Sequence, residues 1–172
     1  MQLTGLLSWH GRRSAWFLLD IDGQVGSGGG FGPLLRSKGG DQVAHPNEDL
    51  VREQFAAFER GDMDALRNQY WTDDTRWHVP GRGPFAGDYE GPEQVLQVYA
   101  RLFELTSGTL SIELHDVLAN DEHAVALVTA RGERGGKQLN DNMVETYHFR
   151  DGKISETWTQ STDQYAQDEF WS

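Results

Sequence analysis

The sequence predicts an α+β domain, a cone-shaped α+β barrel in which three N-terminal helices pack on a strongly curved antiparallel sheet. Two observations carry that expectation. Apolar residues recur at helical spacing between positions 46 and 105, then switch to a period of two from position 110 onward. The dipeptides Asn120-Asp121, Gly135-Gly136 and Asp151-Gly152 divide that second half into the strands of a meander. Helices segregated to one face of a curved sheet enclose a concave volume, and small-molecule sites favour such mouths.

Each element has its own signal. Pro46-Asn47-Glu48-Asp49 reads as a helix start, with Asn47 as the cap and two acids in the first turn. Val51, Phe55 and Phe58 follow at i, i+4 and i+7, and Gly61 is placed to end the helix in a left-handed conformation. Asp62 caps a second helix carrying Met63, Leu66 and Tyr70, with Asp73-Asp74 at its end. Residues 75–79 read as a short strand, and Pro80-Gly81-Arg82-Gly83-Pro84 as a loop. Gly91-Pro92-Glu93 opens a third helix whose buried stripe is Val95, Tyr99, Leu102 and Phe103. Leu110, Ile112 and Leu114 then alternate with polar residues. Two long strands follow at 123–134 and 137–150, and a last one at 153–162. The tail 165–171 is a short aromatic closing element.

Composition narrows the function. Fifteen Lys and Arg face 27 Asp and Glu, a formal charge of −12. Such a surface repels phosphate backbones and anionic headgroups, so neither nucleic acid nor a membrane is an expected partner. The apolar runs fall far short of the roughly 20 residues a membrane helix needs. The absence of cysteine removes thiolate nucleophiles and Cys-type zinc sites.

Residues 1–45 stand apart, holding 10 of the 20 glycines and only four basic and three acidic residues. They read as a Gly-rich extension, either disordered or translated from upstream of a natural start near Val43, preceding a domain over 46–172. Arg12-Arg13 before Ala15-Trp16-Phe17-Leu18-Leu19 is similar to a twin-arginine export signal. Asp20 and Asp22 interrupt its apolar stretch, so a cytoplasmic location is the expectation.

Four segments, in order, carry a family resemblance. Phe58-Glu59-Arg60-Gly61-Asp62-Met63-Asp64-Ala65-Leu66 resembles the first helix junction of the nuclear transport factor 2-like superfamily. Trp77-His78-Val79-Pro80-Gly81, Ala86-Gly87-Asp88-Tyr89-Glu90-Gly91 and the stretch from Phe149 through Asp151-Gly152 to Trp158 continue it. The chain looks closest to the SnoaL-like, ketosteroid-isomerase-related branch, which mixes isomerases, polyketide cyclases, epoxide hydrolases and proteins with no established reaction. The resemblance implies a cofactor-independent pocket protein acting on a small apolar molecule, and a homodimer paired through the sheet.

Residue by residue, the transfer is incomplete. Ketosteroid isomerases place an Asp base before a proline on the first strand and an oxyanion hole made by a Tyr and a protonated Asp. Here the position before Pro80 is Val79, and the helix-one tyrosine falls on Gln54. The acid falls on Glu145; a register slip of one would put Thr146 or Val144 inside instead. The Asp-Arg-Asp set of limonene epoxide hydrolases finds no counterpart.

The candidates that remain are His78 and Glu145 as acid or base and Gln54 as a polarising donor. Trp77, Val79, Tyr147, Phe149 and Trp158 are the expected pocket wall, with Ile154, Glu156 and Trp158 sharing one face of the last strand. Each has a plainer alternative: a hydrogen-bonded structural histidine, a solvated Glu145, tryptophans that only fill the core. His115, His123 and His148 lack metal-ligand spacing, so no metal is expected.

Overall fold

A computed structural model describes residues 44–172; the expected N-terminal extension, apart from its last two residues, lies outside the described residues. Helix α1 spans Pro46–Glu59, α2 spans Met63–Ala65 and widens into a π-helical turn at Leu66–Tyr70, α3 spans Gly91–Leu105 and α4 spans Gln164–Trp171. The strands are β1 Trp71–Val79, β2 Gly87–Glu90, β3 Ser111–Ala119, β4 His123–Arg134, β5 Lys137–Arg150 and β6 Lys153–Ser161. They form one curved, open sheet in the order β2-β1-β6-β5-β4-β3. The α+β class is as the sequence predicts, with a fourth helix supplied by the aromatic tail.

Several local details differ. The cap of α1 is His45, not Asn47, and its imidazole accepts from the Asn47 N–H. Pro46 explains the shift. Proline fits the first helical position, and the residue before it is held extended, as His45 is at φ −65°, ψ 140°. Asn47 instead donates to the carbonyls of Asn120 and Asp121, fastening α1 to the β3–β4 turn. Asp62 does cap α2, accepting from the Ala65 N–H at 3.0 Å, and Gly61 takes the left-handed conformation at φ +70°.

Asp73 and Asp74 belong to β1 rather than to a helix end. The π turn finishes the helix at Tyr70, and an irregularity in the β1–β6 pairing between Trp71 and Arg76 lets both acids point outward, where Asp74 pairs with Arg150. The sheet is also not wholly antiparallel, because β1 and β6 run parallel side by side. The crossover through α3 and the β3–β5 meander is long enough to permit that. Among the described residues no helix is long and apolar enough to cross a membrane.

The core lies between the helices and the concave face of the sheet. Val51, Phe55 and Phe58 of α1, Leu66, Val95 and Val98 of α3, and Tyr147 and Ile154 are all buried there. On β4 the inward positions are Ala124, Ala126, Val128 and Ala130, three of them alanine. The last of these small side chains, Ala130, leaves space in front of it, and that space is part of the site.

Candidate functional site

Strand parity decides which side chains meet the cavity. Cross-strand partners share a face, and β5 and β6 pair Met143 with Ser161, Glu145 with Thr159 and Tyr147 with Thr157, all inward. The next pairs are His148 with Glu156 and then Phe149 with Ile154, so β6 carries one extra residue, Ser155. That bulge reverses the alternation. Ile154 is buried inside, whereas Glu156 and Trp158 emerge on the outer face, correcting the expectation that the three share a face.

A cavity of about 90 Å³ opens between this inward face, α3, α4 and the loop after β1. Trp77 and Val79 of β1 line it, as do Leu102, Ala130 and Met143. Glu145 and Thr159 stand at its buried end, and Tyr99 of α3 lines it too. At the other end α4 clasps the loop. The Asp168 carboxylate accepts from the Arg82 N–H at 3.0 Å, the Gly83 N–H at 3.3 Å and the Gln164 amide at 3.1 Å, and Phe85 meets Trp171 edge-on at 5.3 Å. Gly81, at φ +105°, passes so close that a Cβ there would lie 2.3 Å from Asp168 Oδ1. The second helical tie is Gln167, which donates to Asp141 at 2.7 Å and accepts from the Trp171 indole at 2.8 Å.

Glu145 is the carboxyl at the buried end of the cavity, and Asp168 the one at the other end. Glu145 is 8 % exposed, and among the described residues its partners are Tyr147 and Thr159, neither of them a cation. Burial pushes its carboxyl above the ordinary range, while hydrogen bonds from Tyr147 and Thr159 work the other way. The Tyr147 hydroxyl donates to Oε2, and Thr159 donates to Oε1 at 3.4 Å. Burial also pushes up the phenols of Tyr99 and Tyr147, and a charge on Glu145 would add to both shifts. Two indoles anchor the array: Trp77 Nε1 donates to Thr159 at 2.9 Å, and Trp71 Nε1 donates to Gln54 Oε1 at 2.9 Å.

The expected site residues therefore fall into three places. Trp77, Val79 and Glu145 line the cavity. Gln54 and Tyr147 lie one layer behind, beside small voids that Glu145 and Tyr99 also border. His78, Trp158 and Phe149 are elsewhere. Phe149 packs on the core at the Ile154 end.

His78 is on the outer face, stacked on Trp158 with centroids 4.9 Å apart and planes at 14°. Its Nδ1 lies 2.6 Å from Asp88 and its Nε2 2.8 Å from Glu156. Carboxylates only accept, so the imidazolium with a hydrogen on each nitrogen fits this pairing. Burial works to lower its pKa, but the two carboxylates outweigh it and the net shift is upward. His148 approaches the other oxygen of Glu156 at 3.4 Å and stands edge-on to Trp158.

Tyr99 and Thr159 are absent from the sequence-derived site. Tyr99 reads as one more core aromatic of a helical stripe. The alternating hydroxyls Thr157, Thr159 and Ser161 are a legible signal of a polar inward row, but only once the bulge at Ser155 is known.

Comparison with known proteins agrees with this architecture. Residues 51–157 match the SnoaL-like domain, and the chain belongs to that family. It is 33 % identical over 125 residues to an uncharacterised protein of Mycobacterium tuberculosis, spanning 72 % of this chain and 95 % of that one. Bal32a, from a soil-derived mobile gene cassette, is similar with a TM-score of 0.71 and 34 % identity, over 74 % of this chain and 97 % of that one. TerC, crystallised with polyporic acid, shares the fold at a TM-score of 0.64 and 18 % identity, over 73 % and 98 % of the two chains.

Proposed function

We propose that this SnoaL-like protein holds a small, largely apolar molecule bearing an oxygen in the cavity under α4, and that neutral Glu145 polarises that oxygen. The observation carrying this reading is a buried carboxyl that meets no cation among the described residues, at the end of a cavity walled by Trp77, Val79, Leu102, Ala130 and Met143. Proton transfer from such an acid suits a cofactor-independent isomerase, cyclase or hydrolase. A second reading, ligand binding without turnover, is favoured by one specific arrangement: His78 lies on the opposite face of the sheet, so it offers Glu145 no partner base. Val79 likewise supplies none at the end of β1.

The same proposal includes a domain beginning near Pro46 and a homodimer. The outer sheet face supports the dimer, because it exposes Leu118 of β3 and Leu127 of β4, at 66 % and 38 %. Apolar residues on a face that none of the described helices covers suit a symmetric partner.

The test is a binding and turnover screen of terpenoid, steroid and polyketide-like compounds against wild type and Glu145→Ala. Ligands lost or transformed more slowly in the variant support the assignment. Unchanged binding and turnover remove Glu145 from it. Binding without product in wild type decides for the second reading.

A further inference from the structure

The polar side chains of the cavity gather at its two ends. Beneath α4 they are Ser161, Gln164, Gln167 and Asp168. Gln167 is engaged on both sides of its amide, donating to Asp141 and to Met143 Sδ and accepting from Trp171. Asp168 already accepts from the Arg82 and Gly83 N–H groups and from Gln164. Ser161 and Gln164 each keep one hydrogen-bonding capacity, and the two are opposite in kind. Gln164 Nε2 lies 3.1 Å from Asp168 Oδ1 and 3.4 Å from the Pro80 carbonyl, both of which only accept, so the nitrogen must face them. Gly81 passes against that same nitrogen, so close that a Cβ there would collide with it. Oε1 is thereby turned the other way, and among the described residues no donor reaches it. Ser161 Oγ accepts from the Asp163 N–H at 2.9 Å, and among the described residues its own hydrogen meets no acceptor. Both side chains are half-buried, where an unmade hydrogen bond is costly.

We infer that Ser161 and Gln164 are specificity-determining residues for a hydroxyl at the α4 end of the ligand, one that accepts from Ser161 and donates to Gln164 Oε1. A hydroxyl does both at once, whereas an ether only accepts and a hydrocarbon does neither. This rests on the proposed role of Glu145 for the other end of the molecule and adds a second polar group at a set distance. Ser161 follows Thr159, the partner of Glu145, by two residues on the inward face of β6, about 7 Å along the strand. That is the breadth of a fused pair of rings. The ligand class is therefore two-ended: an apolar body of bicyclic size with an oxygen at Glu145 and a hydroxyl across the rings from it.

The experiment measures equilibrium binding of three bicyclic ketones: 1-tetralone, its 6-hydroxy derivative and its 6-methoxy derivative. Wild type binds the hydroxy compound about tenfold more tightly than 1-tetralone, and more tightly than the methoxy compound, which cannot donate to Gln164. Ser161→Ala and Gln164→Met each cut the tenfold preference to about threefold, since each leaves one of the two hydrogen bonds. A loosened loop would move all three probes together; a lost hydroxyl contact moves only their ratio. Glu145→Ala weakens all three and leaves the ratio as in wild type.

A ratio that either variant leaves unmoved overturns this inference alone, as does a wild type with no preference for the hydroxy compound. A ratio that falls in both variants, beside a 1-tetralone affinity that Glu145→Ala does not change, keeps the hydroxyl site and overturns the role of Glu145. Failure of wild type to bind any of the three overturns both. Should a variant fail to fold, the side-chain amide resonances of Gln164 in wild type decide. Movement on adding the hydroxy compound but not 1-tetralone supports the assignment, and equal movement with both refutes it.

Discussion

At Glu145 burial and hydrogen bonding pull in opposite directions, and burial is the larger. The folded protein therefore holds the proton more tightly than the unfolded chain does. The sign of the consequence follows from linkage: the favourable contribution is complete below the unfolded carboxyl pKa and is lost as pH rises through the raised folded value. Glu145→Gln removes that dependence. Its melting temperature, compared with that of wild type across pH, gains relative to wild type toward alkaline pH and shows no such gain under acid conditions.

His78 gives a second test of the same kind. Its folded pKa is also raised, so its pairing with Asp88 and Glu156 stabilises below about pH 6.5 and fades as pH climbs through the folded value. Thermal melts of His78→Ala should lose most against wild type at low pH and least at pH 8, with tetralone binding unaltered. A change in binding would contradict its placement on the outer face. The sequence left both residues as candidates for one pocket. It could not separate them, because their separation depends on which faces of β1 and β5 turn inward.

Elements show the same division between what is legible and what is not. Strands β4 and β5 begin and end where alternation and the Gly135-Gly136 and Asp151-Gly152 turns predict. Asp151 and Gly152 both adopt positive φ, as a tight hairpin demands. The bulge at Ser155 has no comparable signal, since one extra residue in a strand looks like any other. That single residue moves Glu156 and Trp158 to the outer face and brings Thr157 and Thr159 in. The cap at His45 was equally hidden, because Asn47 is the better capping residue by type and Pro46 overrides it by position.

The clasp between α4 and the loop 80–86 makes predictions at this scale. Gly81→Ala must combine a positive φ with a Cβ 2.3 Å from Asp168 Oδ1, and costs about 1–3 kcal/mol in chemical denaturation. Asp168→Ala leaves the loop donors without their acceptor. Stopped-flow measurement should then show faster release of a bound probe, since α4 and this loop line the cavity together.

For the molecule as a whole, the cavity lies where the small side chain of Ala130 on β4 faces Tyr99 and Leu102 of α3 across the concave side of the sheet. Ala130→Leu should fill it. Binding of 1-tetralone then falls by more than about tenfold, while stability changes by no more than about 1.5 kcal/mol, as for a side chain entering vacant space rather than a packed core. The helical and alternating periods suffice to predict this α+β architecture. The site needed the packed fold, because its polar end assembles Gln54, Trp71, Trp77, Glu145, Tyr147 and Thr159 from positions more than a hundred residues apart.

The claim beneath all of this is that a neutral Glu145 donates a hydrogen bond to an oxygen inside the cavity. Infrared difference spectroscopy of bound 1-tetralone reads that contact directly through the carbonyl stretch. The stretch should move to lower frequency on binding wild type and return toward its value in apolar solvent in Glu145→Ala. A bound carbonyl whose frequency is the same in both proteins would contradict the claim.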